Sequence, residues 1–584
     1  MTAAEIREKI LDVVSRNGGH LASSLGAVEL AMAIAEEFDP TRDRVIWDVG
    51  HQAYAWKILT GREDAFGSLR RLDGLSGFPN PLESPCDAAV AGHAGVALSV
   101  AEGYAAARAI THENYHVVAV TGDASLVNGT SFEALNNCAA AGKVILVLND
   151  NGMSISKPTG SISRFLGRLI AGARYNRVKN AARRVGRAMR LYFLYGIVHR
   201  FKARVKSWFL ADAFFEQFGF RYLGPVNGHD VATLRAAFAV AKEEERSVIV
   251  HVVTKKGKGF RPAEIDPTAW HGVGPFDREA VLSHDAKTKP ESPRAVTWSE
   301  AFGAALAAAA RADRRIVALT AGMKDGTGLD GFSAEFPARF FDVGIAEGHM
   351  VAFAAGLAAA GLKPVVVVYS TFLQRAIDQV MHDVCIANLP VVFCIDRAGA
   401  VGADGVTHQG LYDIPMLRCL PNLTIAQPRD AEDLRALLDE ALSRPGPTAI
   451  RYPRGAAGHV EAPCDDVDSL VRPGAYAIWA TGDWYAKARE VAGALGGVAV
   501  HARYLKPFDA ALLARQRAAG MTIVSLENGA CAGGLGEAIG ADVKFGWPDI
   551  FLPHGTCPEL ERRYQLDKDS IIERLRQKPL TTYG

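Results

Sequence analysis

The chain has 584 residues, 49% of them apolar, with 65 lysines and arginines against 64 aspartates and glutamates. That length makes several domains with sizeable cores, and the balanced charge argues against a general affinity for nucleic acid or an anionic membrane. Eight cysteines are sparse for so long a chain and lack metal-ligand spacing, so most of them read as buried thiols.

The opening MTAAEIREKILDVV starts a charged amphipathic helix without an apolar signal core, and no later run is long enough to span a membrane. A cytoplasmic protein with no stable membrane association is expected. In SRNGGHLASSLGAVELAMAIAEEF a Gly-Gly-His turn puts His20 at a helix start. RVIWDVGHQAYAWKILTG sets His51 just after a short apolar strand, and DAAVAGHAGVALSVAEGYAAARA sets His93 just before an Ala-rich helix. A single imidazole at such a place also serves simply to satisfy a backbone carbonyl. Three at strand-to-helix junctions of one domain point to the mouth of an α/β site, where imidazole binds phosphate and moves protons.

Residues 117–156, VVAVTGDASLVNGTSFEALNNCAAAGKVILVLNDNGMSIS, read as strand, polar turn, helix, strand, polar turn. Both turns fall at the carboxyl ends of parallel strands, where ligands collect. Asp123 opens the first turn, and Asn151 with Met153 opens the second. Such hard oxygen donors suit Mg2+ that keeps positions for phosphate oxygens and water, and a helix starting near Asn128 adds amide dipoles for an anion. Gly-Asp followed about thirty residues later by Asn-Asp-Asn resembles the signature that holds thiamine diphosphate through a divalent metal. Ala124 stands where that signature usually has a second glycine.

Residues 164–206 carry thirteen lysines and arginines and no acidic residue, interleaved with aromatic and aliphatic side chains. A basic amphipathic stretch can meet anionic lipid or nucleic acid; set between parts of one continuous domain, it reads here as a basic flap over about 160–210. The domain resumes with FEQFGFRYLGPVNGHDVATLRAAFAVAKEEERSVIVHVVTKKGKGF, expected as helix, turn, helix and buried strand. His229 sits in its turn, Lys256 in the Gly-containing loop at its strand end, and His271 in the connector DPTAWHGVGPFD. The polar run at 284–295 marks a domain boundary. A second α/β domain then strings RIVALTAGM, FDVGIAEG, KPVVVVYS, LPVVFCIDRA, LTIAQP and PTAIRYP between helical segments, apolar runs that suit a parallel sheet covered on both faces. After a linker near 456–474, AIWATG, VAVHARYLKP, MTIVSLENG and DIFLPHG are the expected strands of a third domain.

Strand-end strings DVGIAEGHM, YSTFLQRAIDQV, DRAGAVGADGVTHQG and RYPRG, with DVGHQAY, LNDNGMSIS and TKKGKG, resemble the 1-deoxy-D-xylulose-5-phosphate synthase family of transketolase-like enzymes, over nearly the whole chain and in the same order. The resemblance implies an α/β protein of three doubly wound domains with mostly parallel sheets, a transketolase-like thiamine diphosphate-binding fold. They would span 1–283 (diphosphate and metal), 296–455 (pyrimidine) and 470–584. It implies a homodimer with thiamine diphosphate and Mg2+ held between the first and second domains of each subunit. Its substrates would be pyruvate, which it decarboxylates, and D-glyceraldehyde 3-phosphate, which accepts the remaining two carbons. Glu347 would hydrogen-bond the pyrimidine nitrogen and Phe372 would stack on that ring. Asp123, Asn151 and the Met153 carbonyl would hold the metal, with His51, His93 and Lys256 also touching the cofactor. His51, His271 and His408 would assist proton transfers, Arg397 and Arg454 would anchor the phosphate, and His20, Tyr369, Arg375, Asp404 and His408 would line the substrate pocket.

The departures cluster at the cofactor end. Where the family usually has GHSSTSIS this chain has GHAGVALS, so hydroxyls are replaced at Ala94, Gly95, Val96 and Ala97; Gly152 stands where an acidic residue is usual. Two other readings stay open. One is a paralogue that uses the same cofactor but a different aldehyde; the other is a noncatalytic relative that binds a ligand or partner.

Overall fold

The computed structural model describes residues 1–152, 211–283, 295–460 and 466–577. Met153 and the basic segment 164–206 lie outside the described residues. The chain divides into two compact units, one of Met1–Arg70 and Gly74–Lys289, the other of Arg71–Asp73 and Pro290–Gly584.

Among the described residues, the first unit builds a five-stranded parallel sheet from Arg44–Trp47 (β1), Val117–Gly122 (β2), Ile145–Asp150 (β3), Arg221–Asn227 (β4) and Val248–Val253 (β5), ordered β1-β2-β3-β5-β4. The continuous apolar runs of β2, β3 and β5 follow from cover on both faces. Val118, Val120 and Val147 point into a core with Ile10, Leu25, Ile34 and Phe238. Ala119, Leu146 and Leu148 point the other way, against Leu98, Leu135 and Phe220. Each such aliphatic side chain, fully buried, contributes about 1.5–3 kcal/mol.

β4 corrects the expected helix, turn, helix and strand of the segment that opens with FEQFGF, which has a second strand at RYLGPVN. It is a half-exposed edge strand whose register against β5 shifts between Leu223 and Val226. Pro225 has no N–H to give a ladder, and an edge strand tolerates that.

In the second unit the strands are Ile316–Thr320 (β6), Phe340–Asp342 (β7), Lys363–Tyr369 (β8), Val392–Asp396 (β9), Thr424–Ala426 (β10), Thr448–Arg451 (β11), Tyr476–Ala480 (β12), Val498–His501 (β13), Tyr504–Lys506 (β14), Thr522–Ala530 (β15) and Val543–Trp547 (β16). They form a seven-stranded sheet, β14-β10-β11-β9-β8-β6-β7, and a four-stranded sheet, β13-β12-β15-β16. All pairs are parallel except β10 with β14. The two sheets share a core: Val366, Phe393 and Ile425 belong to the same cluster as Trp479, Val500 and Ile523. The fourth strand of the smaller sheet is VKFGW, not the expected DIFLPHG, which forms no strand. Pro548 precedes that later run and Pro553 lies within it, and both would break its ladder. Among the described residues no helix is long and apolar enough to cross a membrane.

Candidate functional site

In the first unit, the expected histidines at His20, His51 and His271 converge. Their ring centroids lie 5.8 Å (His20 to His51), 5.6 Å (His20 to His271) and 5.1 Å (His51 to His271) apart, and Phe78 packs on His20 at 5.4 Å. His20 stands at the N-cap of the helix Leu21–Gly26, where its backbone N–H donates to the Tyr54 hydroxyl. The connector bearing His271 is laced to the preceding turn by two backbone hydrogen bonds between Gly19 and Val273, at 2.8 and 2.9 Å. A Cβ on Gly18, where φ is +74°, would sit 2.7 Å from the Val273 carbonyl oxygen, so the Gly-Gly turn is what lets the connector approach. Burial, then the ammonium of Lys256 and the two neighbouring imidazoles, pushes the His271 pKa well below the ordinary histidine range. His271 is therefore neutral at pH 7.

Asp123 is the first residue of the turn Asp123–Leu126, and β2 pairs Gly122 with Asn149, so Asp123 leaves the sheet beside Asp150 and Asn151. Burial and the nearby Asp150 push the Asp123 carboxyl up to about 7, against a lowering by Lys256. Burial in turn brings Lys256 down to about 8, against a raising by Asp123. Asp150 is itself taken: its Oδ2 meets His251 Nε2 at 3.0 Å and its Oδ1 accepts from Gly152 N. A buried carboxylate with one ammonium nearby and an asparagine on the adjoining strand end fits a divalent cation, whose double charge would restore the ionised form. Among the described residues no three His, Cys, Asp or Glu side chains gather as a metal centre. The expected set draws instead on an amide and a carbonyl, and that carbonyl belongs to Met153.

One residue here is absent from the sequence-derived set. Asp48, directly after β1, is buried, and its carboxylate accepts from the amides of Gly95, Val96 and Ala97 at 2.9 to 3.1 Å. Ala97 begins the helix Ala97–Thr111, so His93 leads into a loop held by Asp48. The only local hint is an aspartate at a strand end before a Gly-His turn. Asn128, at the N-cap of Gly129–Ala141, accepts from Thr130 N, which confirms the expected helix start.

The second unit gathers its side chains at carboxyl ends of its larger sheet. Glu347 follows β7 as the first residue of the helix Glu347–Ala359. It is buried, and Arg375 Nε lies 3.3 Å from its Oε2. Burial raises the Glu347 carboxyl, with Arg375 opposing. A buried carboxyl whose pKa is raised suits a hydrogen bond to a ring nitrogen. Tyr369 ends β8 and Phe372 follows it; their rings stack at 6.0 Å, and Phe372 meets His408 edge-on at 5.7 Å. His408 Nδ1 is 3.0 Å from the Thr407 hydroxyl. After β9, the Arg397 guanidinium lies 3.9 Å from the Tyr369 ring centroid, a cation–π contact. Arg454, beyond β11, is exposed and donates to Asp404 at 3.0 Å. Glu347, Tyr369, Phe372, Arg375, Arg397, Asp404, His408 and Arg454 thus rise from the carboxyl ends of β7, β8, β9 and β11 of one sheet, where β8, β9 and β11 are neighbours and β6 separates β7 from β8.

Residues 294–459 match the family model described as the transketolase pyrimidine-binding domain. With the carboxyl-end side chains above, that match makes the class a transketolase-type, thiamine diphosphate-dependent transferase. Residues 1–254 match the model described as 1-deoxy-D-xylulose-5-phosphate synthase. The chain is 43% identical to 1-deoxy-D-xylulose-5-phosphate synthase 2 of Geobacter sulfurreducens over 98% of this chain and 95% of that one. It is 45% identical to synthase 1 of Geobacter metallireducens over the same shares, and 43% identical to the synthase of Polaromonas sp. over 97% and 92%. The chain belongs to the 1-deoxy-D-xylulose-5-phosphate synthase family.

Proposed function

We propose that the protein makes 1-deoxy-D-xylulose 5-phosphate and CO2 from pyruvate and D-glyceraldehyde 3-phosphate, using thiamine diphosphate and Mg2+, and that it works as a homodimer. The observation that supports this most is the survival of two buried carboxyls in the settings the chemistry needs. Asp123 lacks enough positive charge beside it, and Glu347, at a helix start, has its carboxyl raised by burial with Arg375 opposing. When bound, thiamine diphosphate supplies the carbon nucleophile for decarboxylation and carbon–carbon bond formation.

The rest falls to side chains of the protein. Asp123 and Asn151, with Met153, hold the metal that neutralises the diphosphate, while Lys256, His51 and His93 add donors around it. Glu347 orients the pyrimidine through its ring nitrogen and Phe372 packs on that ring. His51, His271 and His408 assist proton transfers at the substrate oxygens, with His20 in the substrate pocket beside the first two. Arg397 and Arg454 take the phosphate of the aldehyde, two planar forks suited to a dianion, with Tyr369, Arg375, Asp404 and His408 shaping the pocket.

Incubation with pyruvate, D-glyceraldehyde 3-phosphate, thiamine diphosphate and Mg2+ should give a product with the mass of the five-carbon deoxy sugar phosphate. Product with another aldehyde but not with this one would identify a paralogue. Failure to bind thiamine diphosphate at all would overturn the reading in favour of a noncatalytic relative.

A further inference from the structure

The departures from the family fall in the loop 93–97, and the geometry of that loop points to Asp48. We infer that Asp48 is the positioning residue of the diphosphate half-site: its carboxylate presets the loop carrying His93 and ties it to the turn carrying Asp123. This rests on the functional reading above, and it assigns work to a residue that reading does not use.

Three successive amides turn toward one carboxylate. Oδ1 accepts from Gly95 N at 3.0 Å, Val96 N at 3.1 Å and Ala97 N at 3.0 Å, and Oδ2 accepts from Gly95 N at 2.9 Å. Amide bonds to a buried ionised acceptor are short and strong. Burial pushes the Asp48 carboxyl up, and the loop amides, together with the start of the 15-residue helix that begins at Ala97, oppose that rise. The side chain of Ser125, two residues past Asp123, lies close enough to the same carboxylate to lower its pKa. The Ser131 hydroxyl donates to the carbonyls of both Gly95 and Ser125, at 3.2 and 2.9 Å, and ties the two segments a second time. Asp48 also starts the turn that leads to His51: its carbonyl accepts from Gly50 N at 2.6 Å and Gln52 Nε2 at 3.1 Å.

Two consequences follow for a chain with Ala94, Gly95, Val96 and Ala97 in place of hydroxyl residues. The amides of residues 95–97 are engaged by a protein carboxylate, so they are not donors for the coenzyme phosphates. The loop is held through its backbone, which needs no hydroxyl from residues 94–97. Asp48 therefore fixes the direction in which His93 leaves the loop, and it does so before any coenzyme arrives.

The test uses the full chain and the variants Asp48→Asn and Ser125→Ala. Asparagine keeps the volume but loses the charge and turns an NH2 group toward the loop amides. In the coenzyme-free protein, hydrogen exchange at residues 95–97 should be at least tenfold faster in Asp48→Asn than in the wild type, with β2 and β3 equally protected in both. In the presence of Mg2+, calorimetric titration should give a thiamine diphosphate Kd at least tenfold weaker. At saturating coenzyme the KM for pyruvate should stay within about twofold of the wild type. Unchanged exchange at 95–97, or faster exchange with an unchanged Kd, would overturn the inference. If Asp48→Asn loses protection across the whole sheet, Ser125→Ala decides: it should speed exchange at 95–97 by about threefold, and no change there would overturn it. A wild-type protein that binds no thiamine diphosphate sinks the functional reading, whereas the exchange comparison judges the dependence on Asp48 without coenzyme.

Discussion

Glu347 carries the sharpest single-residue expectation. Its carboxyl is buried against Arg375, which leaves it inclined to hold a proton yet oriented by a cation. Glu347→Gln keeps the shape and the hydrogen-bonding capacity but cannot exchange a proton, so turnover should fall by about 10²–10⁴-fold, the usual worth of one acid–base group. Glu347→Ala should abolish turnover while circular dichroism stays that of the wild type. Steady-state kinetics decide, and wild-type turnover in either variant would remove Glu347 from its role. The residues that meet substrate in this reading are legible because each stands in a distinctive local string, as Arg397 does in DRAG and Arg454 in RYPRG. Asp48 is not legible in that way. What matters about it is a set of bonds to amides 47 to 49 residues further on, and no local pattern encodes such a contact.

Among the elements, the loop 93–97 shows why a departure from the family pattern need not be a defect. Gly95 sits at φ +84°, and a Cβ there would lie 2.5 Å from Asn128 Oδ1. Asn128 caps the helix Gly129–Ala141. Gly95→Ser restores the residue type the family usually has, but it puts a side chain into a left-handed conformation at a cost of about 1–2 kcal/mol and displaces a cap worth about 1 kcal/mol. A lower urea midpoint for Gly95→Ser in the coenzyme-free protein is the expected outcome; an equal or higher midpoint would show that the loop can adopt the family conformation. The same balance of local pattern against packing decides which strands can be read in advance. β2, β3, β8 and β9 are long apolar runs buried on both faces, and the sequence alone marks them. β4 hides because Gly224 and Pro225 imitate a turn, and only its pairing at the sheet edge makes it a strand. VKFGW begins with a half-buried Val543 and an exposed Lys544 before Phe545, Gly546 and Trp547 enter the core, so the more apolar DIFLPHG stands out while VKFGW forms the strand.

For the second unit as a whole, the shared core has a thermodynamic consequence. β14 completes the larger sheet from chain that otherwise runs with the smaller one, and buried Arg451 donates to Asp413, Gln427 and the Asn528 carbonyl. Next to Asn528, Glu527 is fully buried and accepts from Leu535 N at 2.6 Å and Gly536 N at 3.0 Å. Burial raises its carboxyl to about 7; those two amides, Arg451 and Arg418 only partly oppose the rise. A carboxyl with a raised pKa binds its proton more tightly in the folded chain than in the unfolded one. Below pH 4.5 it is protonated in both states and carries no penalty. Between 4.5 and about 7 the unfolded chain releases the proton first, so stability falls as pH rises, and above about 7 the loss is complete, on the order of 3 kcal/mol. Asp396 and Asp483, each raised by burial to about 6, act with the same sign. His501, lowered by burial to about 4, acts with the opposite sign below the ordinary histidine range. Glu527→Gln removes one titration and leaves the others, and its own loss of an acceptor is independent of pH. The melting temperature of the second unit, followed by calorimetry from pH 5 to pH 8, should therefore decline less steeply in Glu527→Gln than in the wild type. Because the two sheets share one core, they should melt in a single transition in both proteins. Parallel pH profiles would show that Glu527 titrates in the folded protein much as it does in the unfolded chain, and a separate early transition for residues 476–577 would show that the common core does not bind the two sheets together.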